Sequence, residues 1–567
     1  MAEALILDLA VMFVAAGFLL LVTNHLDLSP VPIYLIAGVL VGTFIDQPDL
    51  IVLAQWGIAF LVFVFGIRVD LGDLQSVLRD GEIAAITQLL VVAPLAFAIG
   101  YLAGDFFGFD DPARNAIYFS IAVTLSSTIV GAGLLETEIR DNLVYGRLAS
   151  SIHFFDDMVA IVLLLVLSSE VLTADAIAAK IGYGVMLLAA GLFVYRHGFS
   201  LLVRFADGSD ELVLMGSISL LIAFLAAAEY LGISIVIGAF AAGIAIRNDE
   251  TQGLAVHNGI DSIREFFVTI FFVTVGALVS FPSLEMGVLA VAMIALVACV
   301  NPVVLFLAFV YEGYDTRTAF LASSGLNQVS EFSLILAIQA TLLGTITDTM
   351  FDAIILAAAV TMLLTSLVRR HEQTVYSSVV SRLFTTTQSR SVDEMSRVDS
   401  SLENHVIVLG YGRQGRRIVR RLEELDHPYV VMENDPTLHS RLEVEAQQYV
   451  FGDAISEYPW EKARLETATL IISTVDYRPV SDALLDLELA EETDVVLRFT
   501  GGPEAQEFLQ RGATYVSVPD ILAGQKLQSV VERILEHEVS GEEIQNEHLE
   551  TLAELERYGF ASQSERF

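Results

Sequence analysis

The chain has 567 residues, 54% of them hydrophobic, with a mean hydropathy of +0.62, which places it in the membrane class. A formal net charge of −38 argues against nucleic acid, whose binding needs a basic surface. Cys299 is the single cysteine, so an intramolecular disulfide or a thiolate metal site is excluded.

The N-terminus carries no basic n-region, and its first apolar stretch reads as a retained span. Apolar stretches near twenty residues long predict about thirteen spans. Their centres fall near Phe13, Leu40, Ile58, Val92, Leu125, Ile161, Leu187, Leu220, Val236, Phe272, Leu296, Leu334 and Ala358. Thirteen spans place Arg68, Arg79, Arg140, Arg147, Arg196, Arg204, Arg247, Arg264, Arg317, Arg369 and Arg370 in inner loops, against only Arg114 and Lys180 outside. By the positive-inside rule the N-terminus is outside a plasma membrane and the C-terminal part in the cytoplasm. Arg264 is expected to open the tenth span as a topological anchor.

Two spans look broken. The fifth, Ala122-Val-Thr-Leu-Ser-Ser-Thr-Ile-Val-Gly-Ala-Gly133, is rich in hydroxyls and glycine at mid-membrane. The twelfth contains Gly325-Leu-Asn-Gln-Val-Ser-Glu-Phe-Ser333, with Asn327, Gln328 and Glu331 inside the span. Transporters built from inverted repeats use such a pair of interrupted helices, whose free backbone groups and dipole ends flank the ion site. Between them, Asp156 and Asp157 are adjacent within the apolar sixth span. Burying charge in hydrocarbon costs several kcal/mol, so intramembrane carboxylates face a cavity or a partner. Two in succession point to a bound proton or small cation. Asp157 is the expected carrier and Asp156 its assistant, with Thr124, Ser126, Ser127 and Thr128 as hydroxyl or backbone ligands. His153 lies one helical turn before Asp157 on the same face. It either tunes the pH response or is packed. Glu229 and Glu331 read equally as relay groups or as helix-packing and loop-end residues.

These motifs resemble a Kef-type member of the monovalent cation:proton antiporter superfamily. The resemblance rests on Leu125-Ser-Ser-Thr128, Gly146-Arg147, Phe155-Asp-Asp-Met158, Ile237-Gly-Ala-Phe-Ala-Ala-Gly243, Phe271-Phe272 with Gly276, and Gln328-Val-Ser-Glu-Phe332. It implies a multi-span α-helical transporter with inverted repeats and crossed broken helices. It also implies a membrane homodimer embedded in lipid, with an elevator-like alternating-access movement. Two positions depart from the family pattern. Kef-type potassium systems carry Gln-Asp where this chain has Asp156-Asp157, so both K+ and Na+ stay open as the exchanged cation. Asn301, thirty residues before Glu331, stands where relatives have a lysine, which leaves electroneutral and electrogenic exchange both open.

After the spans, 371–403 reads as a polar linker. His405-Val-Ile-Val-Leu-Gly410 then reads as a buried strand, and Tyr411-Gly412-Arg413-Gln414-Gly415 opens an amphipathic helix. Tyr429-Val-Val-Met-Glu433 is a second strand ending in an acid 23 residues past Gly410. Strand, glycine loop, helix and acid together predict a dinucleotide fold. The glycines let backbone approach phosphate at a helix N-terminus, and Glu433 accepts ribose hydroxyls. An acid there favours NAD(H), AMP or ATP over a 2′-phosphorylated cofactor. Further strands near Tyr449–Phe451, Leu470–Ile472, Val495–Leu497 and Tyr515–Ser517 complete a Rossmann-like sheet. This part resembles the regulator-of-potassium-conductance (RCK, TrkA-N) domain, including Gly452-Asp453, which implies a dimeric adenine-nucleotide sensor. The expected organisation is therefore an exchanger domain over 1–370, the linker 371–403, the nucleotide domain 404–540 and an acidic tail 541–567. Residues 401–567 hold 32 acidic and 15 basic residues, and lysine occurs only at Lys180, Lys462 and Lys526. Such acidity fits a high-salt cytoplasm, that of a halophile, where carboxylates keep a protein soluble under strong screening. An RCK-gated potassium channel is the rival reading. Val273-Thr-Val-Gly-Ala277 lacks the Tyr-Gly of a potassium filter and occurs once. A membrane dehydrogenase is disfavoured, because little chain follows the sixth strand to build a catalytic domain.

Overall fold

The computed structural model describes residues 2–23, 29–44, 47–68, 81–140, 143–167, 174–207, 209–246, 254–279, 283–384, 392, 395–399, 401–490, 493–536, 540–541 and 543–549. Arg79, Arg247, part of the linker and most of the acidic tail lie outside these residues. The chain divides into two compact units. One is Met1–Glu312 with Thr318–Tyr376, and the other is Gly313–Arg317 with Ser377–Phe567.

The first unit is all helix. Its elements are α1 (Ala2–Thr23), α2 (Pro30–Val41), α3 (Gln47–Arg68), α4 (Glu82–Phe106), α5 (Pro112–Thr124), α6 (Thr128–Leu134), α7 (Glu136–Arg140) and α8 (Val144–Leu167). They continue as α9 (174–206), α10 (Asp210–Tyr230), α11 (Ile235–Ile244), α12 (Leu254–Ala277), α13 (Leu284–Tyr311), α14 (Thr316–Ser324), α15 (Glu331–Leu342) and α16 (Asp348–Arg370). Among the described residues, seven helices are long and apolar enough to cross a membrane. Shorter apolar helices include α2, α11 and α15. Twelve of the expected span centres lie on helix, and the remaining one, Leu125, lies between two half-helices.

Helices that touch without a hydrophobic driving force need small residues at the crossing. Between α2 and α12, a Cβ on Gly38 would stand 2.1 Å from Val273 O, and one on Gly276 would stand 2.1 Å from Leu35 O. Only glycine fits there. Helix α12 starts ten residues before Arg264, at Leu254. No proline interrupts Leu254–Ile263, so the helix continues through that polar stretch.

Helices α4–α8 and α13–α16 repeat one plan: a helix with a π-turn, a broken helix, then a long helix. Each π-turn lies just before a proline, Gln88–Val92 before Pro94 and Leu296–Val300 before Pro302. Proline lacks an N–H and crowds the carbonyl four residues back, and the wider turn absorbs both defects. Each broken helix resumes behind a serine N-cap. Ser127 Oγ accepts from Val130 N at 3.3 Å, and Ser330 Oγ accepts from Phe332 N at 3.0 Å.

In the second unit, six parallel strands lie in the order β3-β2-β1-β4-β5-β6. They are β1 (His405–Leu409), β2 (Tyr429–Glu433), β3 (Tyr449–Phe451), β4 (Ala468–Ser473), β5 (Asp494–Arg498) and β6 (Tyr515–Ser517). Helix α17 (Arg413–Glu424) follows β1, and α18 (Pro436–Glu445) follows β2. β1 and β2 are fully buried and nearly unbroken in apolar residues, as central parallel strands are. The order reverses between β1 and β4, and such a switch point leaves a crevice at the carboxyl ends of the strands.

Candidate ion site and candidate nucleotide site

The two broken helices meet at their interruptions. Leu125 and Ser127 take extended backbone, and Ser126 pairs with Val329 as a single antiparallel β-bridge. Ser330 N donates to Leu125 O at 3.1 Å. Each interruption leaves carbonyls at the end of one half-helix and N–H groups at the start of the next.

Side chains from α8 enter this crossing. Asp156 and Asp157 are 3% and 1% exposed. Ser126 donates to Asp156 Oδ2 twice, from its backbone N at 2.8 Å and its hydroxyl at 2.6 Å. Asp157 Oδ2 accepts from Thr128 Oγ1 at 2.8 Å. Glu331, the first residue of α15, is also buried, and its Oε1 accepts from Ile129 N at 3.2 Å. The Glu331 and Asp157 carboxylates therefore both meet the first turn of α6, a helix N-terminus where backbone N–H groups and the helix dipole favour an anion. Gln328 Nε2 ties the strands of the crossing together, donating to Ser127 O at 3.1 Å and Gly325 O at 3.0 Å.

Several buried oxygens in this cluster accept no hydrogen bond from the described residues. They include Asp157 Oδ1, Glu331 Oε2, Thr124 Oγ1 and Gln328 Oε1. Unmatched buried oxygens are costly, and a desolvated alkali cation or a proton on a carboxylate would satisfy them. A cavity of about 820 Å3 adjoins the cluster, lined by Thr128, Ile129, Glu331 and Arg264 among others. It has room for on the order of twenty waters. Arg264 thus stands mid-helix beside the carboxylate cavity rather than at a helix end.

The remaining sequence-derived residues divide. His153 is buried, with Nδ1 3.1 Å from Ser126 Oγ, and its ring fills the space beside Gly131 where a Cβ would come within 2.3 Å of Nε2. Asn301 is buried just after the π-turn of α13, and its Nδ2 donates to Leu326 O at 3.4 Å rather than to either aspartate. Glu229 is exposed in the last turn of α10 and lies outside the cluster. Three partners were not foreseen. Gln88 of α4 reaches the crossing and donates to Thr124 O. Thr361 and Thr365 of α16 bind the second break: Thr361 Oγ1 accepts from Val329 N at 3.2 Å, and Thr365 Oγ1 donates to Asn327 O at 2.9 Å. Each is a polar residue within an otherwise apolar helix, and that was the signal available.

In the second unit, Gly410 follows β1 with φ +86°, a conformation other residues adopt with strain. Gly412, Arg413 and Gln414 are exposed, and Gly412 caps the start of α17. A Cβ on Gly415 would lie 1.9 Å from Gly410 O, so the loop and helix close only with glycine there. Glu433 ends β2 with its carboxylate already engaged: Oε2 accepts from Tyr411 N at 2.6 Å, and Oε1 from Asn434 N at 2.8 Å and Asp435 N at 3.0 Å. Burial pushes the Glu433 carboxyl above the ordinary glutamate range. Asp453 is buried in the turn after β3 and accepts from Ile455 N at 3.0 Å.

Comparison with known proteins agrees with this architecture. Residues 9–370 match the sodium/hydrogen exchanger, transmembrane family, and residues 406–519 match the TrkA-N domain. YbaL of Escherichia coli (strain K12), a candidate cation/proton antiporter, is 26% identical over 93% of this chain and 97% of its own length. KefB of Alkalimonas amylolytica, a candidate K+ efflux antiporter, is 26% identical over 88% of this chain and 77% of its own. The solved sodium proton antiporter MjNhaP1 from Methanocaldococcus jannaschii superposes with a TM-score of 0.50 at 14% identity. It covers 65% of this chain and 97% of that one, and so shares the fold. A multi-span exchanger unit followed by a TrkA-N domain makes this chain a Kef-type member of the sodium/hydrogen exchanger family.

Proposed function

We propose that the chain exchanges a monovalent alkali cation, K+ or Na+, for protons, with the two competing at Asp157 and Asp156 assisting. The observation that carries this reading is the set of buried oxygens at the helix crossing that accept no hydrogen bond, Asp157 Oδ1 and Glu331 Oε2 foremost. A cation leaves its hydration shell only where oxygen ligands replace it, and Thr124, Ser126, Ser127, Thr128 and Gln328 supply hydroxyls, carbonyls and an amide beside the carboxylates. A proton on the same carboxylate removes the charge that holds the cation. If only a loaded site changes access, the two fluxes are coupled. Asn301 and His153 adjust the surroundings of the site.

The arginine distribution supports a plasma-membrane protein with the N-terminus outside and the TrkA-N domain in the cytoplasm. In this reading the exchanger is a homodimer, with a transport domain over 1–370, a linker, and a nucleotide-binding domain over 404–540. That domain binds an adenine nucleotide, NAD(H), AMP or ATP, at Gly410, Gly412, Arg413, Gln414 and Gly415. A carboxylate offers about four acceptor sites, and three at Glu433 are taken, so it has room for one ribose hydroxyl. Asp453, in the turn after β3, belongs to the same nucleotide site. Nucleotide binding regulates transport.

The test is cation-induced proton movement in proteoliposomes with a trapped pH dye, adding Na+ and K+ separately to wild type and Asp157→Asn. Cation-dependent proton release that the variant lacks supports exchange at Asp157. Equal release by both refutes it.

A further inference from the structure

His153 is 2% exposed on α8, one helical turn before Asp157. Its Nδ1 lies 3.1 Å from Ser126 Oγ, and that hydroxyl donates to Asp156 Oδ2 at 2.6 Å. Imidazole, hydroxyl and carboxylate thus form a buried chain at the break between α5 and α6. The direction of each bond follows from what each group carries. A serine hydroxyl has one proton, and an ionised carboxylate only accepts. The Ser126 proton is therefore committed to Asp156, and the bond to His153 forms only if Nδ1 carries a proton and donates it. Nε2 has no hydrogen-bond partner among the described residues. An imidazolium would place a second N–H there with nothing to receive it, so the neutral ring with its proton on Nδ1 fits the site. Packing holds the ring in place: a Cβ on Gly131 would come within 2.3 Å of Nε2 and 2.4 Å of Cε1, so α6 approaches this closely only with glycine there.

We infer that His153 is a positioning residue for the proposed exchange: its Nδ1–H turns the Ser126 hydroxyl so that its single proton points at Asp156. The need comes from rival acceptors. Ser126 follows the last turn of α5, whose carbonyls lack partners within the helix, and a serine hydroxyl readily bonds back to a carbonyl three or four residues before it. Threonines at the second break do so: Thr361 Oγ1 donates to Ala357 O at 2.7 Å, and Thr365 Oγ1 to Thr361 O at 2.8 Å. Ser126 makes no such bond among the described residues, and it is the hydroxyl that an imidazole meets. A donor on one side of an oxygen leaves its proton to point to the other side, and bonds in such a chain strengthen one another. The backbone N of Ser126 donates to the same Oδ2 at 2.8 Å, so both donors of one residue pin a single carboxylate oxygen. Asp156 is thereby held in the orientation from which it assists Asp157.

This inference rests on exchange at the aspartates, and its test separates the two. Full-length wild type, Asp157→Asn, His153→Asn and His153→Leu are reconstituted in proteoliposomes. Proton release is measured against Na+ or K+ concentration at fixed pH. Asparagine carries an N–H where the ring has Nδ1 but leaves much of the space empty; leucine fills more of the space and donates nothing. A donor role and a packing role therefore predict opposite orders. Loss of a neutral hydrogen bond corresponds to about a twofold to tenfold change in an equilibrium constant. The expected result is a half-saturating cation concentration raised about threefold to tenfold in His153→Leu and within about twofold of wild type in His153→Asn. His153→Met, also without a donor, takes the place of His153→Leu should that variant fail to fold. A leucine variant equal to or better than the asparagine variant overturns the inference and marks a packing role. A wild type that exchanges neither cation removes the reading beneath it. A wild type that exchanges, with Asp157→Asn inactive and the His153 variants unaltered, overturns this inference alone.

Discussion

Thr128→Val tests the proposed ion site with the least disturbance to the fold. Thr128 begins α6, and its hydroxyl donates to Asp157 Oδ2 at 2.8 Å. No other side-chain donor to Asp157 is found among the described residues, and Oδ1 accepts none. Valine keeps the volume and the branched Cβ, and the helix keeps its cap, because Ser127 provides it. A hydrogen bond to an ionised group contributes roughly 1.5–3 kcal/mol. Thr128 lines the cavity, so water can replace part of the lost bond, and the lower end applies. About 1.4 kcal/mol is a factor of ten. The half-saturating concentration for the exchanged cation should therefore rise about tenfold. Thr128→Ser, which retains the hydroxyl, should stay near wild type. The assay is proton release from proteoliposomes across a cation titration. A Thr128→Val titration that overlays wild type, in a preparation where Asp157→Asn is inactive, would refute the claim that this hydroxyl acts on Asp157.

Three further outcomes follow from separate parts of the chain. Gly415→Ala would push a Cβ to 1.9 Å from Gly410 O, so the phosphate loop must open. Thermal stabilisation by NAD(H), AMP or ATP should vanish, and retained stabilisation would show that the nucleotide binds elsewhere. Burial lowers the His405 pKa below its ordinary value near 6.5, with Nε2 2.9 Å from Ala463 O. The unfolded chain takes up this proton as pH falls below about 6.5 while the fold resists it, so stability is full above that pH and lost below it, by up to about 1.4 kcal/mol per unit. Unfolding followed by the buried Trp460 between pH 7.5 and 5.5 should show this loss, and His405→Gln should flatten it. Arg369 pairs with Glu138 and Glu372 where all three side chains are largely buried, and it lies 5.6 Å from the centre of the Tyr145 ring. Arg369→Ala removes the cation these two half-buried carboxylates share, while Glu138 keeps the Tyr145 hydroxyl, and should cost about 1.5–3 kcal/mol. An unchanged melting temperature in detergent would count against that.

The features legible in the sequence are those whose chemistry conflicts with their surroundings. Asp156 and Asp157 stand out because carboxylates are expensive inside an apolar span. The two breaks stand out because hydroxyls, glycine and amides interrupt otherwise uniform hydrophobic runs. The Rossmann sheet is legible because each strand is a short apolar run, and Gly410, Gly415 and Glu433 keep a fixed spacing. Gln88, Thr361 and Thr365 were not legible, since a single amide or threonine in a span reads as ordinary helix glue. Their partners lie 36, 32 and 38 residues away along the chain, and only packing brings them together. The start of α12 was not legible for a related reason: the polar stretch before Arg264 carries no apolar run, and nothing local marks Leu254 as a helix start.

The β-bridge between Ser126 and Val329 also fixes how the two repeats correspond. Counting two residues on from each partner, Thr128 matches Glu331, and each begins its second half-helix. The residue that receives the bridge N–H on the long helix is Asp156 in one repeat and Thr361 in the other. One frame is thus dressed with acid at different places: on the long helix in the first repeat, at the half-helix start in the second. If the repeats were identical in chemistry, acids would fall symmetrically on both sides of the crossing. Instead Glu331 reaches over to Ile129 N, and Asp157 takes the hydroxyl of Thr128, so both meet the N-terminal turn of α6. Two carboxylates beside one positive helix end repel each other unless a cation or proton lies between them. The divergence of two repeats within a shared backbone therefore concentrates carboxylates on one side of the crossing, the arrangement that the proposed cation site requires.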